Sequence, residues 1–177
     1  MSQAQIAGGK VTPRDELPAK GHRLQEFALT SVAGHVVQLS DFRGRTNLVL
    51  IVCDDRPETA KMLAEIAARY SDIKSAEAEV LAIDHASREA AAELKNRANL
   101  PYPVLIDEDG SIHRALGAVD ANGLDSAAVY VTDRFGEVFG AHRTANGDRL
   151  PCLADILNWL EFVNAQCPEC EPPEWPL

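Results

Sequence analysis

The residues of this chain best suited to chemistry are its cysteines, Cys53, Cys152, Cys167 and Cys170. The last two are written Cys167-Pro168-Glu169-Cys170. Two intervening residues allow a redox disulfide to close, and they also suit half of a tetrahedral zinc site. Pro168 turns the chain so that the two sulfurs can face one another. Glu169, Glu171 and Glu174 surround the pair with negative charge, and so does the C-terminal end of the helix expected just before it. Negative surroundings hold thiols protonated, so this pair should attack peroxide slowly and exchange oxidation with another thiol instead. In the zinc alternative the missing ligands come from Cys152, from His113 or His142, or from a second chain.

Cys53 ends an apolar run and is followed by Asp54-Asp55-Arg56-Pro57. It has two readings. One is a small buried hydrophobe. The other is a nucleophile helped by Arg56 and by the helix start near Pro57, which Asp54 and Asp55 oppose. Cys152 follows Pro151 at the start of the last helix and reads as half-buried and structural. His22, His35, His85, His113 and His142 show no metal-ligand spacing and read as surface histidines, and Asp107-Glu108-Asp109-Gly110 reads as a turn. The candidate redox residues are therefore Cys167 and Cys170, then Cys53, with no cofactor unless zinc joins the tail pair.

The 177 residues suffice for one core. A formal net charge of −10 repels a phosphate backbone and argues against nucleic acid or anionic membrane as partners. Met1 to Lys20 has no apolar segment of a secretory signal, and no stretch reaches about 18 consecutive apolar residues. The expectation is a cytoplasmic protein, in a compartment where thiols stay reduced or cycle.

The elements that position these residues follow from periodicity. Residues 1–21 read as a leader, 22–165 as the domain and 166–177 as a C-x-x-C tail. Leu24, Phe27 and Leu29 alternate, pause at Ala33-Gly34-His35 and resume at Val36 to Leu39, which predicts a β-hairpin. Leu48 to Val52 is a doubly covered strand. Pro57 opens a helix with Leu63, Ile66, Ala67 and Tyr70 on one stripe. Val80 to Ile83 is a strand, Ser87 caps a helix over Glu89 to Ala98, Tyr102 to Ile106 is a strand, and a short helix lies around His113 to Leu116. Ala128 to Val131 and Glu137 to Ala141 form a hairpin turned at Gly136, and a last helix shows Leu153, Ile156, Leu157 and Leu160 on one face. Strand, helix, strand, helix, hairpin, helix predicts an α/β fold of thioredoxin type, a mixed central sheet with helices on both faces and an N-terminal β-hairpin extension.

Three segments resemble the peroxiredoxin (AhpC/TSA, redoxin) family: Leu24 to Arg45, with F-A-L and L-S-D-F-R-G-R; Tyr102 to Gly117, Y-P-V-L-I-D-E-D-G-S-I-H-R-A-L-G; and Ala128 to Val138, A-V-Y-V-T-D-R-F-G-E-V. The resemblance covers most of residues 22 to 163 and implies the thioredoxin-like fold and an antioxidant or thiol:disulfide oxidoreductase activity. It also implies a partner such as a thioredoxin and assembly as a homodimer. The family's peroxide-reducing cysteine sits at the helix start after the first buried strand. Here that stretch, Cys53 to Thr59, has no cysteine at the helix start, and Ser126 and Ala127 stand where the family places a proline or an arginine. The alternative reading is a redox-inert binding or assembly module on the same fold.

Overall fold

The computed structural model describes residues 16–144 and 149–166. Seven strands form one sheet: β1 (Ala28–Ser31), β2 (Val36–Gln38), β3 (Asn47–Val52), β4 (Ala78–Asp84), β5 (Val104–Ile106), β6 (Ala128–Thr132) and β7 (Val138–Arg143), ordered β2-β1-β5-β4-β3-β6-β7. The sheet is mixed: β3 runs parallel to β4 and antiparallel to β6, and β4 runs parallel to β5. Leu48 to Val52 is interior and buried throughout, as an unbroken apolar run requires when both faces are covered. Each such side chain contributes about 1.5–3 kcal/mol on burial, which makes β3 the element least free to shift.

Covering the faces are α1 (Pro57–Ala68), α2 (Tyr70–Ser75), α3 (Arg88–Arg97), α4 (Ser111–Ala115) and α5 (Leu153–Ala165). Val49 and Ile51 pack with Leu63, Ile66, Ile73, Ala91, Ile156 and Leu160 on one side. Leu50 and Val52 pack with Leu24, Phe27, Leu39, Ile112 and Leu116 on the other. The period of two along β3 thus serves two cores, the first under the longer helices and the second under α4 and the N-terminal segment.

The stripe predicted from Leu63 to Tyr70 is broken at Arg69, whose φ of −124° and ψ of 29° lie outside the helix region, so Tyr70 opens α2. Its ring lies 5.7 Å from that of Tyr102, whose hydroxyl donates to the Leu63 carbonyl at 2.8 Å. Pro57 occupies the first turn of α1, and Ser87 caps α3 by accepting from the Ala90 N–H at 3.3 Å. Residues 16–21, read from the sequence as the end of a leader, cross β7. Pro18 is buried, and the Gly21 N–H donates to the Val138 carbonyl at 2.9 Å. Glycine is needed at 117, with φ +70°, because a Cβ there would lie 2.5 Å from the Glu16 carbonyl oxygen.

The parallel β3–β4 register and the antiparallel β3–β6 register bring the C-terminal ends of β3, β4, β5 and β7 and the start of β6 to one edge of the molecule. Beneath it, β7 and α5 meet at Gly140, where a Cβ would fall 2.5 Å from the Trp159 ring. Gly140→Ala should destabilise the fold by about 1–3 kcal/mol through overpacking, read as a lower urea midpoint with unchanged slope. An unchanged midpoint would show that α5 can withdraw freely from the sheet.

Candidate functional site around the end of the third strand

Asp54 is the first side chain past the buried cysteine that follows β3, and its side chain is 5% exposed. Donors converge on its carboxylate: the Thr59 hydroxyl at 2.5 Å, Arg56 Nε at 2.5 Å, the Arg56 N–H at 3.2 Å and the Ala127 N–H at 3.1 Å. Burial alone would raise this carboxyl, but the bonds from Thr59, Arg56 and Ala127 hold it below the usual carboxylate range. Arg56 continues the chain of contacts to the Thr144 hydroxyl. Ser126 bonds the Thr144 carbonyl and lies 3.2 Å from its hydroxyl, which itself donates to the Ala127 carbonyl at 3.2 Å. A closed polar ring therefore joins the β3–α1 turn, the start of β6 and the end of β7. Thr59, the third residue of α1, stands where that ring meets the helix start.

Cys53 is 2% exposed and packs with Met62 and Leu63. Burial, then the charges of Asp84 and Asp54, push its thiol well above the ordinary range. The Arg56 guanidinium is directed at Asp54 and Thr144. In this conformation the Cys53 side chain is buried.

On the opposite side of the turn, His113 Nε2 lies 3.0 Å from the Cys53 carbonyl and Nδ1 lies 2.7 Å from Asp107 Oδ2. Both residues are completely buried. Asp107 also caps α4, accepting from the Ile112 N–H at 3.0 Å and the His113 N–H at 2.9 Å. Burial would raise this carboxyl, but the side-chain bond from His113 and the backbone bonds hold it low. The expectation that His113 is a surface residue is thus corrected. It shares the inward face of α4 with Ile112 and Leu116, and both ring nitrogens are engaged, so it is unavailable as a zinc ligand. His22, His35 and His85 are exposed, and His85 Nδ1 lies 2.7 Å from Asp125 Oδ2. His142 is half-buried. Asp84, at the end of β4, is raised by burial, with His113 and His85 pulling it down and Asp55 and Asp125 pushing it up.

Cys152 is half-buried at the N-cap of α5, its N–H donating to Asp155 at 2.9 Å. Cys167 and Cys170 lie outside the described residues. Among the described residues no cluster of three or more His, Cys, Asp or Glu side chains can hold a metal ion. The sequence assigns Asp54 the role of opposing a Cys53 thiolate, and it does not reveal the Asp107–His113 pair. The signal for the latter was a histidine falling inside the apolar stripe of a short helix.

The sheet order and the flanking helices define a thioredoxin-like redoxin fold, and solved structures share it. The solved structure of AhpC from Mycobacterium tuberculosis matches with a TM-score of 0.73 at 16% identity, covering 85% of this chain and 95% of that one. Peroxidoxin BcpB from the same species matches with a TM-score of 0.68 at 17% identity, covering 82% and 96%. The AhpC/TSA family model matches residues 20–140, and the chain belongs to this family. Chloroplastic peroxiredoxin Q of Oryza sativa subsp. japonica is 31% identical over 123 residues, 68% of this chain and 57% of the rice protein. The match therefore spans little more than half the length of that relative.

The two buried carboxyls set the acid limb of stability. Both are depressed in the folded state, so their contribution is complete above the unfolded value near pH 4 and is lost as pH falls through the lower folded values. Urea midpoints should fall below about pH 4, with Asp84, raised by burial, acting in the opposite direction above that value. Asp54→Asn should cost about 1–3 kcal/mol at pH 7 and flatten the acid limb. A variant limb as steep as the parent's would show that Asp54 is not one of the groups responsible.

Proposed function

We propose that this chain is a redoxin-type thiol:disulfide oxidoreductase or antioxidant protein that does not reduce peroxide from its β3–α1 turn. The observation that carries this reading is the turn itself. Where α1 begins, Thr59 and the Asp54 carboxylate close a polar ring, and Cys53 beside it has its thiol buried and its pKa raised. Membership of the AhpC/TSA family supports thiol-based redox chemistry as the class of activity, and fold alone would not. A peroxide attacked here would lack a ready thiolate, and the Ala127 N–H that could meet its departing oxygen is already engaged by Asp54.

The redox pair in this reading is Cys167 and Cys170. Their two thiols reduce the disulfide of a partner protein such as a thioredoxin, passing two electrons and two protons and closing their own disulfide, and the reverse step regenerates them. The natural setting is the cytoplasm, where such exchange is maintained. A second reading, a binding or assembly module without redox turnover, is favoured by one observation: the polar groups at the end of β3 satisfy each other and leave little for a substrate.

Two measurements separate these. Stopped-flow mixing with hydrogen peroxide should give a second-order constant no larger than that of free cysteine thiolate, and a much larger constant sinks the claim about the turn. With a thioredoxin and its reductase, the oxidised protein should be reduced with stoichiometric loss of one disulfide located by mass mapping to Cys167 and Cys170. Replacing both with serine should abolish this and leave the fold intact. No turnover in the parent, with intact folding, supports the binding module, and zinc bound in the parent but not in the double variant supports the metal alternative.

A further inference from the structure

Cys53, one residue past β3, is the last held to β4: its N–H donates to the Ile83 carbonyl at 2.8 Å, one step beyond the Val52–Ile83 pairing. Its carbonyl is the first group past the ladder, and the acceptor that β4 would satisfy in a longer strand is taken by His113 Nε2 instead. Both His113 nitrogens face oxygen atoms, those of the Cys53 carbonyl and the Asp107 carboxyl, so the ring is held at both ends. The side chains of both partners are fully buried, which makes the clamp all-or-none. If either bond is lost, a polar group is stranded in the core.

We propose that the His113–Asp107 pair is a latch on the β3–α1 turn. While it grips the Cys53 carbonyl the thiol is sealed, and when it releases, the turn opens and Cys53 becomes a reactive thiol facing the cleft between α1 and α3.

Three features support this. A cavity of about 210 Å³ already lies on the thiol's far side, bordered by Cys53, Asp55, Thr59, Leu63, Asp84 and Leu94, so a small opening suffices for a reagent to arrive. The latch is mounted on α4, a five-residue helix capped by the same Asp107 carboxylate, so the grip on Cys53 and the start of α4 fail together. The charged groups facing the pair also connect it to the surface. His85, at the end of β4, has its ring 5.4 Å from that of His113 and bonds exposed Asp125. Asp84 is electrostatically coupled to His113, His85, Asp55 and Asp125. The close approach of His85 is accommodated by Gly110, φ +65°, where a Cβ would lie 2.7 Å from the His85 ring. The inference is independent of the proposed tail chemistry, and its test omits the tail cysteines.

The experiment uses the full chain carrying Cys152→Ser, Cys167→Ser and Cys170→Ser, so that Cys53 is the single thiol. Reaction with 4,4′-dithiodipyridine, in which the Cys53 sulfur forms a mixed disulfide and releases one pyridinethione, is followed in a urea series beside amide exchange of Val49 to Ile51. In this parent the labelling should show a shallower urea dependence than the β3 amides, the signature of a local opening. Adding His113→Gln should accelerate labelling about tenfold more than it accelerates β3 exchange. Labelling in the parent that follows the global urea slope overturns the latch, as does a variant in which thiol and amides speed up equally. If His113→Gln does not fold, the parent's urea series decides alone.

Discussion

Asp54 leaves the end of β3 as a nearly buried carboxylate, and it stays ionised there because a hydroxyl, a guanidinium and two backbone N–H groups converge on it. A buried charge without such partners would neutralise or unfold its surroundings. Satisfying it forces Arg56 into the β3–α1 turn, sets Thr59 at the start of α1 and draws the first residues of β6 toward β3. The geometry of this edge follows from that requirement, and so does the environment of the neighbouring thiol, which feels the Asp54 charge at close range.

The Asp107–His113 pair applies the same physics on the other side of Cys53. Two buried carboxylates, one bonded by an arginine and one by an imidazole, bracket a cysteine whose carbonyl and thiol point into different environments. Buried networks of this type gain strength from the low local dielectric and become costly when half broken. The edge is therefore rigid when complete, and any loosening of it is cooperative.

Family membership does not by itself fix the chemistry at the start of α1. The sheet and its flanking helices are held by apolar packing on both faces. β3 is fixed by its neighbours on both sides whatever side chains stand in the turn that follows it. A fold supported from below in this way tolerates replacement of its site.

The fold was legible in the sequence because its determinants are local. An unbroken run from Leu48 to Val52, a proline at the start of α1, a serine cap at Ser87 and a glycine at 136 act over a few residues, and their order leaves few topologies. The break at Arg69 was not legible, because nothing in the apolar spacing through Tyr70 interrupts the helical period, and the ring contact with Tyr102 appears only when α2 meets the sheet. The sequence by itself determined the family, and it shows no cysteine between residues 54 and 59. Tertiary structure decided how the polar groups around Cys53 engage one another. Asp54 meets Ala127 across 73 positions and His113 meets the Cys53 carbonyl across 60, and no periodicity or motif encodes a hydrogen bond between groups brought together only when strands from distant parts of the chain pair.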